Sequence, residues 1–275
     1  MTTVKEILTN IILSFMKTYR FIGTVLLAVI LCANFISCTK DDPEDNGYAN
    51  EKKLTKISVV SDGIEMEKYT FSYSDDGKIR RTERIYNLTA IPDTIGYDFM
   101  WAENTVTVYG VPDYYLKGSV NTLVLSLENG LVKSEAVQNE ETLIYAYNSS
   151  NRLAGITESN KVQATINWNN DKLLSFSNNN NFNNEGVFTY NGKSCKKGYF
   201  PFYADIMRIG KCPLLFVAHP ELAGLRVKQL PATLQWVNQD NIQMPMTYKF
   251  DEEGYVTELF LSFGDSGTSY ILTWE

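Results

Sequence analysis

The chain has 275 residues, of which 44% are hydrophobic and 13% aromatic, so it can bury a large core and is not a disordered protein. Its 25 Lys and Arg residues and 32 Asp and Glu residues give a formal charge of −7, and so acidic a chain is poorly suited to neutralising nucleic-acid phosphates. One histidine is too few for a multi-His metal site. We therefore expect no nucleic-acid partner, no metal and no cofactor.

The first 37 residues are typical of a secretory signal. Lys17 and Arg20 precede an uncharged apolar run over residues 21–33. This run is shorter than the roughly 20 residues that a transmembrane helix needs. Met16, directly before Lys17, would open a signal of normal length, so we predict that translation starts there and that residues 1–37 lie outside the fold.

Cys38 ends this signal in a sequence that resembles a bacterial lipobox. Phe35, Ile36 and Ser37 precede it. The resemblance implies that Cys38 becomes the first residue of the mature chain and carries the lipid. Each buried CH₂ of an acyl chain contributes about 0.8 kcal/mol, so several chains give a stable anchor. The alternative is an ordinary signal with a free cysteine near its cleavage site.

Residues 38–52 form an acidic stretch that predicts a flexible tether. It also resembles the acidic export signal of Bacteroidetes-type surface lipoproteins, which implies an outer-membrane lipoprotein, either surface-exposed or periplasmic. Removal of residues 1–37 takes away three basic residues and one acidic residue, which leaves a net charge of −9. Such a surface suits a neutral or cationic ligand.

From residue 53 onward the hydrophobic pattern has a period of two. Tyr69, Phe71 and Tyr73 alternate with polar residues, and turn sequences follow at residues 74–77, 148–151 and 251–254. The pattern predicts one all-β domain over residues 53–275. In this domain repeated antiparallel β-hairpins form one curved or barrel-like sheet, and the pattern leaves open whether the edges of the sheet close.

The hairpins repeat at nearly constant spacing. The strand-closing residues Leu127, Tyr147, Trp168 and Tyr190 are separated by 20, 21 and 22 residues. The segments 73–79, 147–153 and 250–256 resemble the tyrosine–aspartate repeat of RHS-type proteins. With the lipobox, this resemblance implies a Bacteroidetes-type envelope lipoprotein of unknown function in which the repeat is structural.

One region interrupts the pattern. Pro201 suits the first turn of a helix and Gly210 a helix end, so a short helix is predicted over residues 199–210, and His219-Pro220-Glu221 predicts a further turn. We expect residues 192–228 to cover one end or face of the sheet. The asparagine-rich run 178–184 predicts a loop.

Few residues offer chemistry. Cys195 and Cys212 flank the helical region and could form either a disulfide or two buried free thiols. With His219 they match no zinc-ligand spacing. The sequence contains no nucleophile elbow whose residue His219 could activate as a base, so a surface or capping role is expected.

Acidic and aromatic side chains complete the survey. Most acids, such as Asp75, Asp76, Glu252 and Glu253, fall in turns and should be solvated. Tyr114 and Tyr115 lie in a loop between strand-like segments, where they are candidate contacts for a glycan or a protein, or else fold back onto the loop.

These features favour a non-catalytic binding or interaction module for a glycan or an envelope protein, which a blind cleft with aromatic walls would support. A structural or assembly component of the outer membrane is the alternative, with a long exposed sheet edge or an apolar lumen as its mark. A polysaccharide hydrolase ranks third, because it requires two acids that face one cleft.

Overall fold

The alternating segments form sixteen antiparallel strands in the part of the chain that the structure, a computed structural model, describes: residues 51–87, 93–112, 120–137, 140–179, 184–237, 242–264 and 266–275. In chain order, β1 to β16 are Leu54–Ser61, Ile64–Tyr73, Ile79–Tyr86, Asp93–Ala102, Thr105–Pro112, Val120–Glu128, Leu131–Val137, Leu143–Tyr147, Leu153–Glu158, Lys161–Asn169, Lys172–Asn178, Asn184–Ser194, Gln229–Trp236, Gln243–Phe250, Val256–Phe263 and Ser266–Trp274.

The sheet closes into a barrel. Each strand pairs with the next one along the chain, and β1 pairs with β16 over Leu54–Ser61 and Thr268–Trp274. Beyond these strands, the backbone N–H of Lys53 donates to the carbonyl of Glu275 (2.6 Å) and that of Glu275 to the carbonyl of Lys53 (2.9 Å). The predicted all-β, barrel-like sheet is confirmed, and the pairing of β1 with β16 closes it.

The barrel wall is apolar inside and largely polar outside. In β14, Met244, Met246 and Tyr248 are buried, whereas the residues between them are exposed. The same alternation places a set of polar side chains on the outer face: Asp98, Lys133, Thr165, Asn167, Thr189, Gln243, Lys249 and Thr273. Because side chains alternate along a strand, the predicted apolar positions all face one core inside the barrel.

Short turns join the strands at one end of the barrel, which we call the turn rim. The turns at residues 74–78, 148–152 and 251–255 share one backbone pattern, in which the first N–H donates to the carbonyl of the fifth residue and the fourth N–H to the carbonyl of the first. The fourth residue has a positive φ, 84° at Gly77 and 56° at Asn151. Glycine and asparagine tolerate that conformation best, which explains the recurrence of these residues.

An aromatic side chain closes seven of the eight strand pairs at the turn rim. Each donates a hydrogen bond from the even-numbered strand to a carbonyl of the preceding strand, at 2.6 to 2.8 Å. We call these residues the rim aromatics: Tyr73, Trp101, Tyr147, Trp168, Tyr190, Tyr248 and Trp274. In the eighth pair the matching residue is Leu127, which has no polar atom to donate. The rim aromatics thus hydrogen-bond the ends of paired strands that the chain connects only at the opposite rim.

Residues 195–228, between β12 and β13, fill the interior of the barrel, and we call them the plug. The plug holds helix α1 (Tyr203–Met207), helix α2 (Pro213–Ala218) and a 3-10 helix (Pro220–Ala223). Eighteen plug side chains with apolar character are buried, among them Tyr203, Leu215 and Phe216 at 1% exposure or less. They contact the wall all round: Trp168 and Phe188 pack on Tyr203, and Trp274 packs on Tyr199.

The plug differs from the expectation in three ways. It lies within the barrel instead of covering an end or face, because its apolar residues match an apolar wall. Its first helix covers five residues, Tyr203–Met207, since Pro201 lies in a turn before the helix. Helix α2 was not predicted, whereas the turn at His219–Glu221 was.

The asparagine-rich run is shorter than predicted as a loop, because β11 extends to Asn178 and β12 begins at Asn184. No helix in the described ranges is long and apolar enough to cross a membrane.

Candidate functional site

Three of the residues predicted to act lie outside the described part of the chain. They are Cys38, which the lipobox resemblance marks for lipid attachment, and Tyr114 and Tyr115. The signal segment 1–37 and residues 38–50 of the tether also lie outside it.

Cys195 and Cys212 are buried free thiols, so the structure contains the second of the two predicted alternatives and no disulfide between them. Cys195 donates a hydrogen bond to the carbonyl of Lys228 (3.4 Å), and Cys212 precedes α2. Burial raises the pKa of Cys195 to about 11 and that of Cys212 to about 12. Both thiols therefore stay protonated at neutral pH and are poor nucleophiles.

His219 fastens the plug to the turn rim. Its Nε2 accepts the backbone N–H of Ile79 (3.0 Å), so Nδ1 holds the proton and donates it to Glu221 (2.7 Å). Its ring also packs edge-on against Tyr73 and Trp101. The expected surface or capping role is wrong, because the His219 side chain is largely buried and makes no cap hydrogen bond to either neighbouring helix. Within the described ranges no three Cys, His, Asp or Glu residues are grouped as metal ligands.

Glu135 is a buried carboxylate that faces the plug from β7. It accepts hydrogen bonds from the hydroxyl of Tyr145 and from the backbone N–H of Lys211 (2.5 Å). Burial raises the pKa of Glu135, and these hydrogen bonds oppose the rise. Since its donors are structural groups of the wall and plug, Glu135 orients the turn between α1 and α2.

The polar inward-facing groups gather at the opposite end from the turn rim, where β2 begins and β3 ends. Arg84 donates to Glu67 from Nη2 (2.9 Å) and from Nε (3.2 Å), and the hydroxyl of Tyr69 donates to Glu67 (2.6 Å). The guanidinium also lies 4.3 Å from the ring centre of Tyr86 and 5.3 Å from that of Tyr69. Both ions keep contact with solvent, at 33% exposure for Arg84 and 20% for Glu67.

The plug adds Asp205 to this group, which we call the mouth: Glu67, Tyr69, Arg84, Tyr86, Asp205 and Tyr270. Burial raises the pKa of Asp205, and the charge of Arg84 opposes the rise. The Asp205 carboxylate has no hydrogen-bond partner among the described residues, and neither has Nη1 of Arg84. A shallow pocket beside Asp205 is lined by Ile57, Tyr69, Phe202, Asp205, Leu214, Val217 and Tyr270.

The mouth therefore places the Asp205 carboxylate beside the aromatic rings of Tyr69 and Tyr270. Its pocket is a shallow depression that is far too small to enclose a ligand. The mouth suits a ligand that rests across it. Two acids, Glu67 and Asp205, share the mouth, which a hydrolase would also require, but Glu67 is already held by Arg84 and Tyr69.

The sequence analysis missed the mouth, although one signal was present. In β2 the alternation that makes Tyr69, Phe71 and Tyr73 inward-facing also turns Glu67 inward, and Arg84 pairs with Tyr69 across the strands. A charged residue in the inward phase of an otherwise apolar strand indicates either a buried ion pair or a site. The arrival of Asp205 from the plug had no such signal.

Comparison with known proteins finds relatives by fold alone. No family model matches the chain, and no curated protein matches it. A solved structure of a porin-like protein from Bacteroides uniformis has 14% identity and a TM-score of 0.60, and covers 81% of this chain and 98% of its own. A porin-like protein from Bacteroides vulgatus has 11% identity and a TM-score of 0.36, covering 82% and 99%. The first of these shows that the barrel fold is shared.

Proposed function

We propose that the protein is a lipid-anchored component of the bacterial cell envelope, and that its barrel is a non-catalytic module that binds a glycan or an envelope protein. The single observation that carries this proposal is the polarity of the barrel: its lumen is filled by an apolar plug and its outer wall is largely polar. The mouth supports binding, because it places the Asp205 carboxylate beside the aromatic side chains of Tyr69, Phe202 and Tyr270 at the surface of the barrel.

The outer wall argues that the barrel stands in water. A barrel that crosses a bilayer presents a continuous apolar band outward and polar residues inward. Here the outward side chains of β10 include Thr165, Asn167 and Asn169, with Val162 as an apolar exception, while Ala164 and Ile166 face the core. A membrane anchor would then have to come from another part of the chain, which is the role we assign to a lipid on Cys38.

The tether gives this arrangement a direction. Arg226 of the plug binds Glu51, and the hydroxyl of Tyr255 accepts the backbone N–H of Lys52 (2.8 Å), so residues 51 and 52 lie at the turn rim. Residues 39–50 can span at most roughly 40 Å when fully extended. We therefore place the turn rim toward the membrane and the mouth away from it.

The anchor is tested with Cys38→Ala and with Cys32→Ala as its matched control, since Cys32 lies inside the apolar run of the signal. We expect Cys38→Ala to leave the protein in the soluble fraction or as an uncleaved precursor, and Cys32→Ala to fractionate with membranes like the wild type. Mature Cys38→Ala protein in the membrane fraction would refute the lipid anchor.

The location is tested by protease treatment of intact cells. Cleavage would put the barrel on the outer surface and favour an external glycan. Protection until the outer membrane is broken would put the barrel in the periplasm and favour an envelope protein, to be captured by crosslinking.

An assembly role is a second candidate, because of one feature of the outer wall. Met100, Val124, Ile144 and Val162 are 37–55% exposed on the outer wall of β4 to β10. The register joins Met100 to Val124 through Thr107 and Ile144 to Val162 through Thr157, and Ile144 lies opposite Ser134, two residues from the partner of Val124, so the four form a stepped stripe. The closed barrel offers no strand edge, so an assembly partner would use this stripe. Val124→Lys with Ile144→Lys should abolish a crosslink formed there and preserve binding at the mouth.

A further inference from the structure

We infer that a cluster of lysines on the turn rim rests on the phosphate groups of anionic membrane lipids. The cluster, which we call the lysine patch, consists of Lys193, Lys196, Lys197 and Lys228, and all four are exposed. This inference rests on the lipid anchor of the proposed function. It names the surface through which the anchored barrel contacts the membrane.

The fold brings the four lysines to one corner of the turn rim. The chain enters the plug after β12 and leaves it before β13, and the backbone N–H of Cys195 donates to the carbonyl of Lys228 (2.9 Å) where the two ends of the plug meet. The two lysines that follow Cys195 both donate their backbone N–H to the carbonyl of Gly254 in the β14–β15 turn (3.2 Å each). The lysine patch therefore lies between this turn and the ends of the plug.

The adjoining turn leaves most of the positive charge of the lysine patch uncompensated. None of the four ammonium groups forms an ion pair with a residue of the described ranges, whereas Glu253 of the turn pairs with Lys52. Asp251 accepts two backbone N–H groups of its own turn, at 2.8 Å each. Glu252 is exposed and engages no described residue. Four lysines thus face one unengaged acid, and lipid phosphates would supply the missing negative charges.

The tether ends beside the lysine patch. Glu51 binds Arg226, which lies two residues before Lys228, and Lys52 pairs with the turn that the patch contacts. A lipid on Cys38 would hold this corner of the rim close to the bilayer, because residues 39–50 span at most roughly 40 Å. Anionic lipids attract lysines that lie near the membrane surface, within about one Debye length, or ~8 Å at physiological salt.

The opposite rim has the opposite charge. On its strand ends and turns, the exposed charged residues of the described ranges are Asp62, Glu140 and Glu141, against Lys161. An anionic membrane repels such a rim and attracts the lysine patch. The charges therefore favour the same orientation as the tether, with the mouth away from the membrane.

The test holds residues 39–275 on vesicles through an N-terminal hexahistidine tag and a nickel-chelating lipid, so its outcome does not depend on a lipid at Cys38. These residues contain all sixteen strands and the plug. The vesicles consist of phosphatidylcholine, alone or mixed with phosphatidylglycerol, and mass spectrometry follows the acetylation of each lysine. We expect phosphatidylglycerol to slow acetylation of the lysine patch at least about threefold. Acetylation of Lys161, at the opposite rim, and of Lys249, on the outer wall, should not change.

Charge variants test whether the lysine patch causes this protection. Lys196→Gln with Lys197→Gln should return acetylation of the other two patch lysines to the rate seen on phosphatidylcholine. Lys196→Arg with Lys197→Arg keeps the charge and should preserve the protection. Lys161→Gln with Lys249→Gln removes the same charge elsewhere and should also preserve it. Salt at about 1 M should abolish the protection, because the Debye length falls to about 3 Å.

Equal acetylation of the lysine patch on the two kinds of vesicle would overturn the inference and leave the fractionation of Cys38→Ala unaffected. The acidic tether is the competing occupant, since it carries Asp41, Asp42, Glu44 and Asp45. If replacing these four acids by their amides speeds acetylation of the patch equally on both kinds of vesicle, the tether and not the membrane covers it. Stronger protection by soluble hexagalacturonate than by phosphatidylglycerol would assign the patch to an acidic polysaccharide instead.

Discussion

The polar atoms of the rim aromatics supply hydrogen-bond donors to buried carbonyls at the turn rim. Carbonyls such as those of Leu54, Leu153 and Val256 lie at strand starts, where the sheet pairing is ending and the apolar plug limits access of water. A buried carbonyl without a donor costs free energy, and a Tyr or Trp side chain supplies both the donor and apolar surface. This explains why the strand-closing residue is so often aromatic with a polar tip.

Tyr73→Phe tests this explanation, because it removes only the hydroxyl that donates to the carbonyl of Leu54 (2.8 Å). We expect the free energy of unfolding to fall by about 1 kcal/mol, as is typical when a partly buried hydrogen bond is lost. Denaturant titration measures it. Tyr109→Phe, at an outward position, should change the value by less than about 0.5 kcal/mol. Equal effects in the two variants would contradict the explanation.

Burial of Asp205 lowers the free energy of unfolding by an amount that depends on pH. Since burial raises its pKa, the folded protein retains a proton that the unfolded chain has already released. The free energy of unfolding therefore decreases as pH rises from the ordinary carboxyl range through the raised pKa. Asp205→Asn removes this ionisation, so we expect the variant to be the more stable protein at pH 8, by on the order of 1 kcal/mol, and to differ little at pH 4.

Denaturant titrations at the two pH values measure this difference. Asp75→Asn is the control, because Asp75 is exposed in a turn, and it should stay within about 0.5 kcal/mol of wild type at both pH values. An Asp205→Asn protein that is less stable than wild type at pH 8 would mean that the folded state favours the ionised carboxylate. The expected result would mark Asp205 as a residue whose charge opposes stability, as ligand-binding groups often do.

At the scale of elements, the plug depends on close contact with the wall. Helices of five and six residues are too short to be stable alone, so packing must hold α1 and α2. Gly224 ends the 3-10 helix with a φ of 60°, and a Cβ there would lie 2.0 Å from the carbonyl oxygen of Asn151. The plug thus leaves the lumen against the β8–β9 turn, where Arg152 also binds the carbonyls of Gly224 and Arg226 (3.0 Å each).

Gly224→Ala should therefore destabilise the protein by more than about 2 kcal/mol, because it adds a clash with backbone to left-handed strain. Its control is Gly130→Ala in the β6–β7 turn, where φ is 78° and no atom lies within 4 Å of a new Cβ. That variant should lose only about 1 kcal/mol from strain. Thermal or denaturant unfolding compares them, and similar losses would argue against a tight exit for the plug.

The elements also show what sequence reasoning can reach. The strands were predictable because a wall with one buried face enforces a period of two. Helix α2 was not, since the run Leu214–Ala218 is apolar throughout and has no polar face to reveal a helical period. The same run could equally have covered the outside of a sheet. Its place in the lumen depends on the size of the closed barrel, a property of all sixteen strands together.

At the scale of the whole molecule, the candidate site combines distant parts of the chain. Glu67 and Arg84 follow from the alternation in β2 and β3, so that half of the mouth was predictable in principle. Asp205 and Tyr270 come from the plug and from β16, more than 100 residues further on. Only closure of the barrel brings them beside Arg84, which is why no local motif announces the site.

Closure also sets the order in which the molecule can be completed. Strand β1 finds its second partner only in β16, the last strand of the chain, and until then both ends of the sheet present unpaired N–H and C=O groups. Such distant pairing is slow to form. A chain that is exported from its N-terminus would therefore reach the far side of the membrane as an open sheet with two adhesive edges. Its cell would have to shield those edges until the final nine residues of β16 arrive.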